Sequence, residues 1–356
     1  MSSLALLIDP FLVGIPQHFE TDEAADAFAD RLLSWRKGLD RVEHGTIIAL
    51  FSDDCLQILN EEGRFPYQED GMNLLRSFNL PGDVVCTIAR TLVQHCTTIE
   101  DFCGIRVALF ETKDLVVDPV HLIDRMPGSL REVLQHDLVR LSVAHDQISL
   151  SNILIVIATC DLESLGYNSV AIEARVEEIE WMFEALIDQG SFPIALNDWI
   201  PIAESYLSTL EYLDLKEIWN EHMGEYGFKE AVQLKIKQIV SVGCDVSGMI
   251  PGFGIGPEFI ESVSRCGFFS SDRFSNVLIE HCAKTVLGIR HPAREPFRVD
   301  GRKQAPQIVN DGGARGWREK LQKHATGYRL MFWEYEDKSI SFANVGVKKE
   351  CRICSA

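Results

Sequence analysis

The chain has 356 residues, of which 46% are hydrophobic and 9% aromatic, so it is long enough for two or three domain cores and too apolar to be disordered. Its 34 Lys and Arg against 53 Asp and Glu give a formal net charge of −19. No apolar run reaches the ~18 residues of a membrane span, and the first ten residues lack the basic start of a signal peptide. We therefore expect a cytoplasmic protein with no membrane partner.

The first part of the chain alternates apolar runs with helical patterns. Leu4–Ile8, Thr46–Phe51 and Ile105–Phe110 predict buried strands, and one capped amphipathic helix, from Thr21 or Asp22 through Leu39, separates the first two. A fourth run, Ile153–Ala158, has no polar alternation, which is typical of an inner parallel strand covered on both faces. We predict an α/β N-terminal domain with a mostly parallel sheet over residues 1–165.

A helical middle region, residues 166–290, is predicted next. Its first helix is indicated by apolar residues at helical spacing, with glutamates off the stripe: Ile172, Val176, Ile179, Phe183 and Leu186. Further helices are predicted at about 202–220, 229–241, 257–265 and 273–287. The glycine-rich stretch 252–257 opens one of them and is interpreted as a connector, because it lacks the lysine of a phosphate loop.

The last part of the chain, residues 291–356, is basic, with 13 Lys and Arg against 8 Asp and Glu. A helix is predicted over Arg315 to His324. Two or three short alternating strands follow, including one within 327–335 and one within 339–345, with a hairpin turn at Asp337-Lys338. We predict a small α+β C-terminal module. A basic module on an acidic chain indicates either a polyanionic partner or a module that docks on the acidic part.

Carboxylates follow several of these predicted strands or begin helices. Asp9 follows the first strand, Asp83 begins a helix, and Asp161 follows Ile153–Ala158. If they converge at one sheet edge, they could hold Mg²⁺ or Mn²⁺ with open water positions. Each could instead be a cap or turn residue. The reserve ligands are Asp53, Asp54 and Asp118.

This order of acids resembles the PIN-type nucleases over residues 4–165. In that family a first strand ends in Asp, a helix brings further acids, and a later strand ends in Thr-x-Asp, matched here by Thr159-Cys160-Asp161. The resemblance implies a metal-dependent nuclease in which Asp9, Asp83 and Asp161 are the catalytic and metal-binding residues. The family's helix glutamate has no clear counterpart here, and the interval from Asp83 to Asp161 is longer than in the family.

The C-terminal module, with its helix before hairpins and its Gly327-Tyr328-Arg329 entry, resembles the RelE/ParE type of toxin over residues 311–354. Those ribonucleases use basic residues and Tyr in place of a metal. The resemblance implies nucleic-acid-binding residues on one helix face and the following strand: Arg315, Arg318, Lys320, Tyr328 and Arg329. The same residues could instead be a core with cations at its rim.

Two classes of function remain open. One is a prokaryotic nucleic-acid-processing protein, a metal-dependent nuclease or toxin-like effector of a defence or toxin–antitoxin system. The other is a non-enzymatic adaptor or regulatory subunit that binds a protein partner through its helical region and basic module. Cys351 and Cys354 have the spacing of half a zinc site, but no second ligand pair accompanies them, so we interpret them as structural or incidental.

Overall fold

The structure is a computed structural model, and it describes the following residues: 4–43, 45–65, 68–104, 107–125, 128–147, 153–160, 162, 165–181, 192–241, 252–289, 294–300, 304–321, 327–348 and 352–355. The chain divides into two compact units, Met1–Tyr212 and Leu213–Ala356. None of the described helices combines the length and the apolar character that crossing a membrane requires.

A seven-stranded sheet forms the centre of the first unit. Its strands are β1 (Leu4–Ile8), β2 (Ile47–Phe51), β3 (Thr97–Thr98), β4 (Val107–Asp118), β5 (Leu154–Ala158), β6 (Ser169–Trp181) and β7 (Ile194–Ala203). They lie in the order β3-β2-β1-β5-β7-β6-β4. The pairs from β3 to β7 are parallel, whereas β6 runs antiparallel to both β7 and β4. The predicted mostly parallel α/β sheet is confirmed.

Helices connect these strands or follow the last of them. They are α1 (Pro10–Val13), α2 (Asp22–Arg36), α3 (Gly38–Glu43), α4 (Asp53–Glu61), α5 (Glu69–Ser77), α6 (Gly82–Gln94), α7 (Ile99–Cys103), α8 (His121–Asp124), α9 (Gly128–Gln147) and α10 (Tyr206–Thr209). Polar side chains fix where several of them begin, because each accepts a hydrogen bond from an otherwise unpaired N–H of the first turn. Thr21 does so for α2, Ser52 for α4 and Thr98 for α7.

The prediction of a helix over 172–186 is wrong, because β6 occupies Ser169–Trp181. Residues 182–191 lie outside the described part of the chain. Along β6 the even-numbered Val170, Ile172, Ala174 and Val176 are buried, whereas Glu173 and Arg175 are exposed. This alternation at a period of two is that of a strand with one covered face. The sheet of the first unit therefore continues past residue 165, into the region predicted to be helical.

The second unit contains a five-stranded sheet with helices. Its strands are β8 (Phe253–Ile255), β9 (Arg294–Pro296), β10 (Arg315–Leu321), β11 (Tyr328–Glu334) and β12 (Ile340–Val347), and its helices are α11 (Leu215–Ile218), α12 (Gly224–Ser241), α13 (Phe259–Arg265) and α14 (Asp272–Val286). The strand order is β8-β12-β11-β10-β9. Aromatic rings join the sheet to the helices, since Phe259 lies 4.8 Å from Phe228 and 5.8 Å from Phe342 between ring centroids.

Three further predictions for this unit have clear outcomes. The hairpin is confirmed, because β11 pairs antiparallel with β12 around a turn in which Lys338 has a positive φ of 69°. The helix over Arg315 to His324 is wrong. Residues 315–321 form strand β10, which pairs with β11 along its whole length, and 322–326 lie outside the described residues. The glycine-rich stretch at 252–257 is also more than a connector, because β8 lies within it and pairs in parallel with β12.

Candidate functional sites

The carboxyl ends of β1 and β5 meet at the point where the strand order of the first sheet reverses. From β1 the chain proceeds to β2 on one side and later returns to place β5 on the other. Such a switch point is the usual ligand crevice of an open parallel sheet. Here Asp9 follows β1, and Thr159 and Cys160 follow β5. The sequence predicted that Asp9, Asp83 and Asp161 converge at one edge. Asp9 lies there beside Thr159, whereas Asp161 lies outside the described residues.

The Asp9 carboxylate is fully buried and has protein partners on both oxygens. Oδ1 accepts from the Phe11 backbone N–H at 2.9 Å, and Oδ2 accepts from Thr159 Oγ1 at 2.7 Å and forms an ion pair with Arg125. Arg125 also donates to Thr159 Oγ1 at 2.6 Å and to the Cys160 carbonyl at 2.8 Å. The arginine therefore ties the segment after α8 to the ends of both strands. Nothing in the sequence indicated this partner, which lies 116 residues from Asp9.

Asp83 occupies a different environment. It lies in the first turn of α6, where its exposed carboxylate forms an ion pair with Arg76 of α5. Asp118 ends β4, and three strands separate β4 from β1, which corresponds to roughly 19 Å at the usual strand spacing. Across the described residues no group of three or more His, Cys, Asp and Glu side chains is arranged to hold a metal ion. Asp9 and Asp83 therefore have different surroundings, and the metal site predicted at Asp9, Asp83 and Asp161 stays a prediction.

Acidic residues also gather at the carboxyl ends of β2 and β3. Asp53 begins α4 directly after β2, and Glu100 lies in α7 directly after β3. Burial and the nearby Glu100 carboxylate raise the pKa of Asp53. Arg140 of α9 forms ion pairs with both Glu100 and Asp137, and the distance from Arg140 Nη1 to Asp137 Oδ1 is 3.2 Å. Because Asp137 is buried, its pKa is raised to about 7, against the opposing effect of Arg140. The single guanidinium group of Arg140 is therefore the ion-pair partner of both Glu100 and Asp137.

On strand β10 the predicted basic residues divide between two faces. Neighbouring strand residues point to opposite sides, and the register pairs Lys320 with Arg329 and Leu321 with Tyr328. Arg318, Lys320 and Arg329 therefore share one face of the sheet, and Arg315 and Tyr328 lie on the other. The predicted single face containing Arg315, Arg318 and Lys320 is wrong, because it assumed the spacing of a helix.

A fourth cation joins the three on that face. Lys348 follows β12 and lies next to Gly327 and Arg329. A Cβ built on Gly327 would lie 3.9 Å from Lys348 Cβ and 4.0 Å from Arg329 Nη1. Lys320 and Lys348 are exposed, and Arg318 is partly exposed and paired with Glu295 at 3.0 Å. We call Arg318, Lys320, Arg329 and Lys348 the basic face. Lys348 could have been found from the sequence if 315–321 had been assigned as a strand that continues the hairpin sheet.

The other two predicted nucleic-acid-binding residues have different surroundings. Tyr328 packs edge-on against Phe268, with ring centroids 5.5 Å apart, so its ring belongs to the helix-covered side of the sheet. Arg315 lines a cleft of about 390 Å³ together with Glu334, Tyr335, Glu336, Lys338, Val309 and Gly313. That cleft carries charges of both signs. We therefore separate both residues from the basic face.

Cys354 has a structural position, whereas Cys351 lies outside the described residues. The Cys354 carbonyl accepts from Trp333 Nε1 at 2.8 Å, and its backbone N–H donates to Asn344 Oδ1 at 3.0 Å. These bonds fix the end of the chain against strands β11 and β12.

A scan of family models and searches of curated proteins and of solved structures found no match to this chain. The resemblances to PIN-type nucleases and to RelE/ParE-type toxins therefore stay predictions.

Proposed function

We propose that this protein binds a nucleic acid, and that the basic face of its second unit contacts the phosphates. The observation that supports this most is the position of Lys320 directly opposite Arg329 on adjacent antiparallel strands. Like charges placed opposite each other in a sheet destabilise it, by about 0.2–1 kcal/mol. A bound phosphate would relieve that repulsion. Two cations placed in this way are better explained by an anionic ligand than by the stability of the fold.

The distribution of charge between the units supports the same assignment. Residues 213–356 carry 21 Lys and Arg against 18 Asp and Glu, a net charge of +3, whereas residues 1–212 carry 13 against 35, a net charge of −22. A polyanion is repelled by the first unit and accepted by the second. The basic face also has adjacent cations on three neighbouring segments, as a phosphate backbone requires.

The alternative is a regulatory or adaptor protein whose basic face contacts an acidic segment of a protein partner. Both ligands are anionic, but they differ in charge density. Nucleic acid carries condensed counterions that are released on binding, so its affinity falls steeply with salt, with a slope of about −0.9 per phosphate contact for duplex DNA. The number of contacts can therefore be read from the salt dependence.

The test is a fluorescence-anisotropy titration of the full-length chain with labelled RNA and DNA oligonucleotides of about 20 nucleotides, at about 50 and 200 mM salt. We expect binding that weakens with salt, and a salt slope that is smaller by about 3 in the Arg318→Ala/Lys320→Ala/Arg329→Ala variant. The matched control replaces with Ala three lysines of the same unit that lie outside the basic face, Lys216, Lys229 and Lys338. Equal effects of the two triple variants, or no binding at low salt, would contradict the proposal.

The metal-dependent nuclease remains our second hypothesis for the first unit. Its support is the position of Asp9 and Thr159-Cys160 at the switch point of a parallel sheet, where ligands commonly bind. Asp161, the next residue of the predicted Thr-x-Asp motif, follows directly. In this hypothesis the second unit holds the nucleic acid that the first unit processes.

A further inference from the structure

The antiparallel half of the first sheet has an outer face with unusually exposed apolar side chains. Trp199 on β7 is 63% exposed, and Val116 on β4 is 52% exposed. The register places Trp199 opposite Ala171 and Val116 opposite Glu173, so all four side chains belong to the same face of the sheet. We call the exposed Trp199 and Val116, together with the buried Ala171 opposite Trp199, the Trp199 patch. The Trp199 side chain is largely exposed, and tryptophan is one of the residues that are enriched at the energetic centres of protein interfaces.

The five charges around this patch sum to −1, because Asp118, Glu173 and Glu177 are negative and Lys113 and Arg175 are positive. The nearby cations Lys113 and Arg175 both bind Glu177, with Nζ–Oε1 and Nε–Oε1 distances of 3.4 and 2.9 Å. Asp118 lies opposite Ala171, and Glu173 lies diagonally from Trp199. In the part of the chain that the structure describes, neither of these two carboxylates has a Lys or Arg within ion-pair distance.

This combination of charge and apolar surface selects among possible occupants. A nucleic acid would meet the carboxylates of a unit with a net charge of −22. A second copy of the same patch would bring Asp118 and Glu173 against their own equivalents, and like charges in an interface oppose association. A segment with Lys or Arg beside an apolar residue fits both features. Its cations would pair with the carboxylates and stack on the indole ring of Trp199, the aromatic ring that binds cations best.

We propose that the Trp199 patch is a docking surface for a basic segment of a partner protein. The apolar side chain of that segment packs on Trp199 and Val116, and its Lys or Arg side chains pair with Asp118 and Glu173. This surface lies on the first unit and does not depend on nucleic-acid binding by the second.

The probe is a fluorescein-labelled peptide of repeated Arg-Leu-Gly units, titrated by anisotropy with the full-length chain at about 0.1 M salt. A Glu-Leu-Gly peptide of the same length is the matched control. We expect binding of the basic peptide alone, and an affinity at least about tenfold lower for Trp199→Ala and for Asp118→Asn/Glu173→Gln. Leu33→Ala, which removes a side chain that is 43% exposed elsewhere on the unit, should leave the affinity within about twofold.

Three further measurements fix the interpretation. Far-UV circular dichroism should show that the Trp199→Ala variant is folded, because an exposed ring supports little of the core. The Arg318→Ala/Lys320→Ala/Arg329→Ala variant should bind the peptide as the wild type does, which separates this proposal from nucleic-acid binding. Hydrogen exchange should slow in 113–118 and 195–201 when the peptide binds. The proposal is overturned by no binding, by equal binding of the acidic peptide, or by an unchanged affinity in either patch variant.

Discussion

Lys320 and Arg329 lie directly opposite each other on the adjacent antiparallel strands β10 and β11. Both side chains belong to the face of the sheet that also carries Arg318, and Lys348 lies beside Arg329. The repulsion between them reduces the stability of the second unit, and an anionic ligand would remove that repulsion. Stability and binding should therefore respond in opposite directions when one of the two charges is reversed.

The first prediction concerns Lys320→Glu. We expect the unfolding free energy of the second unit to increase by about 0.2–1 kcal/mol, because a repulsive cross-strand pair becomes attractive. Nucleic-acid affinity should fall in the same variant. Urea denaturation and anisotropy measure the two effects. Lys216→Glu makes the same charge change at an exposed residue outside the sheet, and it should reproduce neither effect.

The second prediction concerns the buried pair of Asp9 and Arg125. Arg125→Met should destabilise the first unit by about 3–5 kcal/mol, because it leaves the fully buried Asp9 carboxylate without its counter-charge. Thr159→Val removes one hydrogen bond to the same carboxylate and should cost about 1.5–3 kcal/mol. Urea denaturation followed by circular dichroism measures both variants.

The matched control for Arg125→Met is Arg131→Met. Arg131 forms an exposed ion pair with Asp124 at 3.4 Å, and such pairs contribute about 0–1 kcal/mol. A similar loss of stability in the two arginine variants would show that the pair of Asp9 and Arg125 is not the structural anchor of the sheet edge.

The third prediction is a pH dependence that originates from Asp137. Burial raises the pKa of this carboxyl to about 7, whereas an unfolded Asp titrates near 3.9. Between pH 3.9 and 7 the Asp137 carboxyl is therefore protonated in the folded unit and ionised in the unfolded chain. Its contribution to the unfolding free energy is complete below about pH 4 and is lost as the pH rises to about 7. We expect Asp137→Asn to become more stable relative to the wild type by a few kcal/mol between pH 4 and pH 8.

His136 contributes to the same pH range with the opposite sign. Burial, with the nearby Arg140 charge, lowers the pKa of its imidazole to about 4. A histidine kept neutral in the folded state stabilises above its unfolded pKa of about 6.5, and that contribution is lost as the pH falls. The wild-type curve combines both groups, so the comparison must be made between each variant and the wild type. Relative to the wild type, His136→Gln should become more stable as the pH falls, which is the reverse of the trend for Asp137→Asn. If the unfolding free energies of the wild type and Asp137→Asn change in parallel with pH, the prediction is wrong.

The fourth prediction tests the nuclease hypothesis. If the first unit hydrolyses nucleic acid with Mg²⁺ or Mn²⁺, then Asp161→Asn should reduce cleavage of a labelled oligonucleotide to the level of a blank without protein. Asp83→Asn is the matched variant, and we expect it to keep the wild-type rate because Asp83 is exposed and paired with Arg76. Cleavage that persists in EDTA, or that is equal in Asp161→Asn and wild type, would exclude the hypothesis.

Several features of the fold could be predicted from short stretches of sequence. Leu4–Ile8 and Ile153–Ala158 are uninterrupted apolar runs, and each became a buried parallel strand, because only such residues suit a strand covered on both faces. The C-terminal hairpin was recognisable from its alternation and from the turn at Asp337-Lys338. The separation of charge between the two ends of the chain was also evident from composition alone.

Only the tertiary structure decided between the two periods present in residues 169–181. Ile172, Val176 and Ile179 repeat at helical spacing, whereas Val170 and Ile172 also begin an alternating pattern. Pairing with β4 and β7 satisfied the backbone hydrogen bonds of this segment and selected the strand. The same ambiguity affected residues 315–321, where β11 and β9 supply partners on both sides.

The tertiary structure also decided which residues come together in the candidate sites. The sequence by itself determined that Asp9 follows an apolar strand and that cations are concentrated near the end of the chain. It did not determine that Arg125 neutralises Asp9, because the two residues are 116 positions apart and only the tertiary structure brings the segment after α8 to the end of β1. Nor did it determine that Lys320 faces Arg329 while Arg315 points away, because strand register arises from pairing between segments and is absent from either segment alone.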